Sequence, residues 1–199
     1  MNRYKYLLLI LNLFILMGCG MNQPVESPKN YAIVADSPAN TYPKKYETVL
    51  IDSVRVESPF NDTQMVLRLS DVSFESDYYN RYITEPSAII ENQLPTSLTR
   101  SGVIGSALPN NAGVKTNLVL KTLVTKLFGD FRKEQKPTAI MEIQFILVDN
   151  ASVRPTIIFD KKIASKVEVS EKTPDELAKG LGIALTNIFD ELAKEVSQR

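Results

Sequence analysis

The sequence has no histidine, no tryptophan and a single cysteine among its 199 residues. Without histidine it has no Ser–His or Cys–His pair, no imidazole zinc ligand and no side chain whose unperturbed pKa lies near neutrality. One cysteine cannot form an internal disulfide, so the fold must be stabilised by the burial of apolar side chains. The 23 basic and 23 acidic side chains cancel, which removes the basic excess typical of nucleic-acid binding. We therefore expect no enzyme, catalytic residue, metal, cofactor or nucleic-acid partner.

The first 18 residues have the pattern of a secretory signal peptide. Two cations, Arg3 and Lys5, precede an apolar run at 7–17 that only Asn12 interrupts. A helix needs about 20 apolar residues to span a bilayer, so this run is too short for a permanent anchor. We predict that residues 1–18 are removed.

The run ends in Leu16-Met17-Gly18-Cys19, which resembles the lipobox of bacterial lipoproteins. Cys19 is the only cysteine and lies at the predicted cleavage point, which makes the match specific. The resemblance implies a diacylglyceryl group on the Cys19 thiol and a fatty acid such as palmitate on the new amine, and several acyl chains make a stable anchor. By resemblance to the sorting rules of such lipoproteins, Gly20 favours sorting to the outer membrane. The alternatives are a secreted protein with a coincidental cysteine and an uncleaved amphipathic anchor.

The mature chain divides into a tether and one folded domain. Residues 19–29 hold the lipidated cysteine and a polar segment with Pro24 and Pro28, which is typical of a flexible tether. Residues 30–199 contain neither a repeat nor a second domain boundary. Their β-branched and alternating apolar segments predict strands. These lie at 31–34, 48–56, 64–69, 72–75, 103–108, 116–128, 138–148 and 157–169.

Two segments have helical patterns. The first, 85–101, contains Pro95, which predicts a kink or a split, and Gly102 is placed to end it. The second begins with a capping box of Thr173 and Glu176 around Pro174. Its apolar stripe consists of Leu177, Leu181, Leu185, Ile188, Leu192 and Val196.

These elements predict an α/β fold. It is a single-domain sandwich of a mixed, largely antiparallel sheet with two main helices, of which the C-terminal one is long. We expect the strands at 116–128 and 138–148 to pair antiparallel at its centre. Gly180 and Gly182 resemble half of a nucleotide fingerprint, but their place inside a helix favours close packing on the sheet.

Four aromatic residues cluster between the strand at 72–75 and the first helix. They are Phe74, Tyr78, Tyr79 and Tyr82. Tyrosines are enriched at interfaces, so Tyr78, Tyr79 and Tyr82 are our candidate partner-binding residues. The alternative is that some of these rings are buried beneath the following helix.

Several segments together resemble one known family, the ABC-type transport auxiliary lipoproteins, which include the paraquat-inducible protein C group. The resemblance is carried by Lys29-Asn30-Tyr31-Ala32-Ile33, the strand at 48–56, Met65-Val66-Leu67-Arg68, and the segment 78–86 with the helix after it. Tyr82 stands where the family usually has a tryptophan.

The resemblance implies a function without catalysis. Such proteins are partners of MCE-type periplasmic proteins and their ABC transporters, which move lipids between the inner and outer membranes. It places the chain at the periplasmic face of the outer membrane of a Gram-negative bacterium. The alternatives are a carrier that binds lipid itself and a lipoprotein that regulates cell-wall synthesis, whose sandwich fold is shared.

Overall fold

A computed structural model describes residues 27–199. The predicted signal peptide, Cys19 and most of the predicted tether lie outside these residues. The described chain forms strands β1 (Lys29–Tyr31), β2 (Tyr46–Ile51), β3 (Arg55–Val56), β4 (Gln64–Arg68) and β5 (Phe74–Tyr82), then helix α1 (Pro86–Arg100). Strands β6 (Ile104–Pro109), β7 (Leu118–Asp130), β8 (Thr138–Asp149) and β9 (Thr156–Glu168) follow, and helix α2 (Pro174–Ser197) ends the fold.

The strands form one open, mixed sheet built around β7. Along one edge β7 pairs antiparallel with β8, which pairs antiparallel with β9. Along its other edge β7 pairs in turn with β2, β3 and β4, all parallel to it. Strand β6 lies beside β2, while β5 lies beside β4 and β1 beside β5. The long pairings are antiparallel, so the predicted fold class and the predicted β7–β8 pair are confirmed.

The two helices bury the sheet's inner face. Helix α2 packs across β8 and β9, whereas α1 packs mainly on β6 and touches α2. The predicted stripe of α2 is buried along its whole length. Thr173 Oγ1 accepts a hydrogen bond from the Glu176 backbone N–H at 3.4 Å, which is one half of the predicted capping box, whereas the Glu176 carboxylate accepts from Ser170 Oγ at 2.6 Å. We call β7, β8, β9 and α2 the helix-covered half, and β1, β4 and β5 the β5 arm.

Close packing explains the two helical glycines. A Cβ on Gly180 would lie 2.6 Å from a Val169 methyl and 2.8 Å from the Ala139 Cβ. A Cβ on Gly182 would lie 2.5 Å from the Val34 carbonyl oxygen, where the N-terminal segment crosses α2. Both residues therefore serve close packing, and the nucleotide alternative is excluded.

Three local predictions need correction. The strand at 48–56 is two strands, because the chain leaves the ladder at 52–54 before it pairs again with β7. Pro95 does not split α1, whose buried residues lie on both sides of it. The helix ends at Arg100 with Ser101 as its cap, and Gly102 follows the cap with a φ of +78°, which suits glycine. Of the strand predicted at 72–75, residues 72–73 lie in the turn, and Phe74 begins a longer strand, β5, that includes the aromatic segment.

Candidate docking surface on strand β5

Strand β5 lies close to one edge of the sheet. On one side it pairs with β4, and on the other only its last three residues pair with β1, from Lys29↔Asn80 to Tyr31↔Tyr82. The part of β5 before Asn80 therefore lies beyond the residues that β1 covers. Most of its side chains are exposed, in contrast to those of β7 and β8.

The Asp77 carboxylate caps the backbone N–H groups of the residues that follow it, and this forces two tyrosine side chains outward. Asp77 Oδ1 accepts hydrogen bonds from the backbone N–H groups of Tyr79 at 2.9 Å and Asn80 at 3.0 Å. Asp77 Oδ2 accepts from Asn80 Nδ2 at 2.7 Å. The β4–β5 register shifts at this point, from Met65↔Asp77 to Gln64↔Arg81. Bulges of this kind turn side chains away from the regular alternation of a strand.

The two exposed tyrosines pack against each other, and one of them also contacts an arginine. The rings of Tyr78 and Tyr79 meet edge to face, with centroids 5.2 Å apart and planes at 85°. The Arg81 guanidinium lies 5.1 Å from the Tyr78 ring centroid, and its Nε donates to the Tyr78 carbonyl at 3.1 Å. Tyr78 is 60% exposed and Tyr79 46% exposed. We call Tyr78, Tyr79 and Arg81 the aromatic edge.

Tyr82 is not on this surface. It is only 2% exposed and lies in the hydrophobic core, and its hydroxyl has no hydrogen-bond partner among residues 27–199. Burial raises the pKa of Tyr82, so the hydroxyl stays protonated. The grouping of Tyr82 with Tyr78 and Tyr79 is therefore corrected, because its ring fills the core behind β5.

Phe74 belongs to a separate aromatic cluster. Its ring meets Phe128 edge to face at 5.3 Å, and Phe128 stacks on Phe60 at 5.8 Å. The Arg68 guanidinium lies 5.7 Å from the Phe74 ring centroid. Phe74 is still half exposed, beside the turn that joins β4 to β5.

An ionic network fixes the β4–β5 turn to the end of β7. Arg132 donates to both Asp130 oxygens, at 2.8 and 2.7 Å, and also pairs with Asp71. Hydrogen bonds from Arg132 lower the pKa of Asp130, which is buried. Lys172 donates to the Phe131 and Arg132 carbonyls at 2.8 and 2.9 Å, so the loop before α2 joins the same network.

Sequence reasoning missed this network. Asp71 and Arg132 are 61 positions apart, and only the β4–β7 pairing brings them together. No local spacing could have indicated the contact.

Two features are absent from the described residues. Within 27–199, no group of three or more histidine, cysteine, aspartate or glutamate side chains is arranged to hold a metal ion. In the same range, no helix has the length and hydropathy needed to cross a membrane.

The chain is similar to known proteins in its fold alone. No protein-family model and no curated protein matches the chain. The fold is similar to that of protein XCC0632 from Xanthomonas campestris, whose crystal structure is described under the family model DUF330. The TM-score is 0.74 and the sequence identity 15%, and the match covers 86% of this chain and 99% of that one. The hypothetical protein CT253 from Chlamydia trachomatis is similar with a TM-score of 0.54 and 9% identity, over 77% of this chain and 96% of that one.

Proposed function

We propose that the chain is a lipid-anchored, non-enzymatic accessory component of an MCE-type ABC lipid transport system. Cys19 holds it at the periplasmic face of the outer membrane, and the aromatic edge docks the MCE-type protein or its transporter. The proposal rests on the lipobox and the family resemblance in the sequence. The structural observation that supports docking is the exposed, braced pair of Tyr78 and Tyr79.

The aromatic edge has the chemistry of an interaction hot spot. Tyrosine and arginine are the residues most enriched at such spots, because each combines a large apolar surface with polar groups. The Asp77 cap and the edge-to-face contact hold the rings before a partner arrives. A surface that is already ordered loses less conformational entropy on binding.

The interior of the domain favours docking over lipid carriage. A carrier would need an apolar groove between helix and sheet, and this interface is filled by side chains such as Leu181, Leu185 and Ile188, which have no exposed surface. A cleft of about 190 Å³ lies between residues 35–38 and α1, and polar groups including Asn92 and Gln93 line it. Neither place offers an acyl chain the apolar walls that it requires.

The first test concerns the aromatic edge. Replacing both Tyr78 and Tyr79 with alanine should weaken capture of the purified MCE-type partner by more than tenfold, since each truncated hot spot costs about 2 kcal/mol or more. The melting temperature should barely change, because both rings are exposed. The matched control replaces two exposed residues elsewhere, Ile157 and Ile183, with alanine and should keep full capture. Undiminished capture by a stable Tyr78/Tyr79 variant would refute this docking surface.

The second test concerns the anchor. Cys19→Ser removes the only thiol, so lipidation and lipoprotein processing should be lost and the protein should leave the membrane fraction. Density-gradient separation of the two membranes then reports where the wild-type protein resides. A Cys19→Ser variant that still fractionates with membranes in its mature form would contradict the lipid anchor.

A further inference from the structure

The turn between β4 and β5 carries an apolar surface at one end of the molecule. Val72 lies at the turn and is 92% exposed, and Leu69 and Phe74 beside it are also exposed. We call these three residues the apolar tip. Side chains of this kind seldom extend together into water from a tight turn, where polar residues and glycine predominate.

The apolar tip is rigidly held. The Leu69 N–H donates to the Ser73 carbonyl at 3.0 Å, and Ser70 Oγ accepts from the Ser73 N–H at 3.0 Å. Arg68 donates to the carbonyls of Ser70 and Asp71, both at 3.1 Å. The network of Asp71 with Arg132 then ties the turn to the end of β7. The apolar residues are thus presented by a braced turn.

The direction of the N-terminal segment points to the same end. Strand β1 is parallel to β5, and Lys29 pairs with Asn80. The chain before Lys29 therefore arrives from the side of Phe74, where β5 begins and the apolar tip lies. Phe74 lies opposite Arg68 and Arg81 opposite Gln64, so the bulged strand covers only four residue steps of β4, about 13 Å.

The chain between Cys19 and Lys29 is short. Ten residue steps span at most about 33 Å when fully extended. A segment of this length allows the apolar tip to contact the membrane in which Cys19 is anchored. The opposite end of the sheet lies beyond Asp149, at the far end of the 12-residue strand β8. To present that end to the membrane, the segment would first have to reverse its direction.

We propose that the apolar tip enters the boundary between headgroups and acyl chains of the bilayer that holds the lipidated Cys19. This inference rests on the proposed lipidation. The tip orients the domain, with β5 rising from the membrane and the aromatic edge left free above it for a protein partner. A lipid surface is the occupant that the reach and direction of the segment favour.

The charges near the tip indicate what drives the contact. Arg132 is paired with Asp130 and Asp71, and Lys136 with Glu168 at 2.7 Å. These pairs offset one another, and the other charges of the two turns, Glu75, Lys133 and Glu134, are of both signs, so the attraction to lipid comes from the apolar side chains. Contacts of this kind are insensitive to screening by salt, unlike those of a basic patch.

Two exposed valines at opposite ends provide a matched test. Val72→Cys and Val153→Cys are each made in the full, lipidated chain, where the Cys19 thiol is occupied and the new cysteine is the only free thiol. Val153 lies in the loop after β8 and is fully exposed. Each variant is labelled with an environment-sensitive fluorophore and reconstituted in vesicles of phosphatidylethanolamine and phosphatidylglycerol, with and without lipids brominated on their acyl chains.

We expect a blue shift at position 72, quenching by brominated lipid at low and high salt, and neither effect at position 153. Equal, water-like spectra at both positions in protein that floats with the vesicles would overturn the inference and leave the anchor intact. A shift at position 72 without bromine quenching would also overturn it, because it indicates a protein contact. Protein that does not float at all would refute the lipidation itself.

Discussion

The helix-covered half and the β5 arm use the same sheet in opposite ways. In the helix-covered half, β8 buries one face completely under α2, and Phe145, Ile143 and Leu185 have no exposed surface. In the β5 arm, a strand of nine residues buries little besides Tyr82. The contrast teaches that stability is concentrated under α2, which leaves the arm free to carry exposed aromatic and apolar side chains. If this is correct, substitutions in the two regions should differ in size and kind.

The largest effect is expected under α2. Leu185→Asp places a carboxylate where no water reaches, at a cost of several kcal/mol against a total stability of about 5–15 kcal/mol. The domain should unfold, or melt at a greatly reduced temperature, by circular dichroism. The control on the same helix is Ile183→Asp, whose side chain is half exposed and whose substitution should change the melting temperature little. Similar melting of both variants would show that α2 does not hold the sheet.

The helix-covered half was also the half that sequence could predict. The stripe of α2, the Thr173 cap and the alternation of 157–169 are local patterns, and each follows from the burial of one face. The side-by-side pairing of β2, β3 and β4 along β7 is not local, because it joins residues such as Leu67 and Gly129 that are far apart in the chain. Periodicity identifies the elements but does not determine which edges meet.

The site was predictable only in part for the same reason. Tyr78 and Tyr79 stood out as an aromatic cluster, but their exposure depends on the Asp77 cap, and the burial of Tyr82 depends on strand register. An extended segment of mixed polar and aromatic residues does not indicate which rings face the core. The one local clue was Asp77 itself, since Asp favours caps on nearby backbone N–H groups.

An intermediate effect is expected where the arm joins β7. Asp130→Asn removes the buried charge that Arg132 pairs with, at a cost of about 1–3 kcal/mol at neutral pH. Because the pKa of Asp130 is lowered in the fold, its ionised form stabilises the protein above the pKa of the unfolded chain, about 3.9. That stabilisation disappears as the pH falls through the folded-state pKa. Urea unfolding of both proteins should therefore converge in acid.

The comparison for this junction is Asp71→Asn, which removes the exposed partner of the same arginine. An exposed pair contributes at most about 1 kcal/mol, so this variant should lose less stability than Asp130→Asn at neutral pH. Raised ionic strength should also lower the stability of this variant less than that of wild type, because the exposed ion pair that salt screens has been removed. Equal losses from both variants would mean that burial does not set the strength of the network.

A further small effect is expected inside the arm and has the opposite sign. Tyr31 and Tyr82 are register partners on β1 and β5. Within the described part of the chain only the Tyr31 hydroxyl is bonded, and it donates to Asn80 Oδ1 at 3.1 Å. A buried hydroxyl without a partner costs about 1–3 kcal/mol, so Tyr82→Phe should stabilise the fold by about 1 kcal/mol while the ring keeps its packing. Tyr31→Phe loses a hydrogen bond and should destabilise it by a similar amount. Paired urea titrations measure both changes on one scale. If Tyr82→Phe is the more damaging of the two, the Tyr82 hydroxyl is bonded in the folded protein and the core behind β5 is more polar than its side chains indicate.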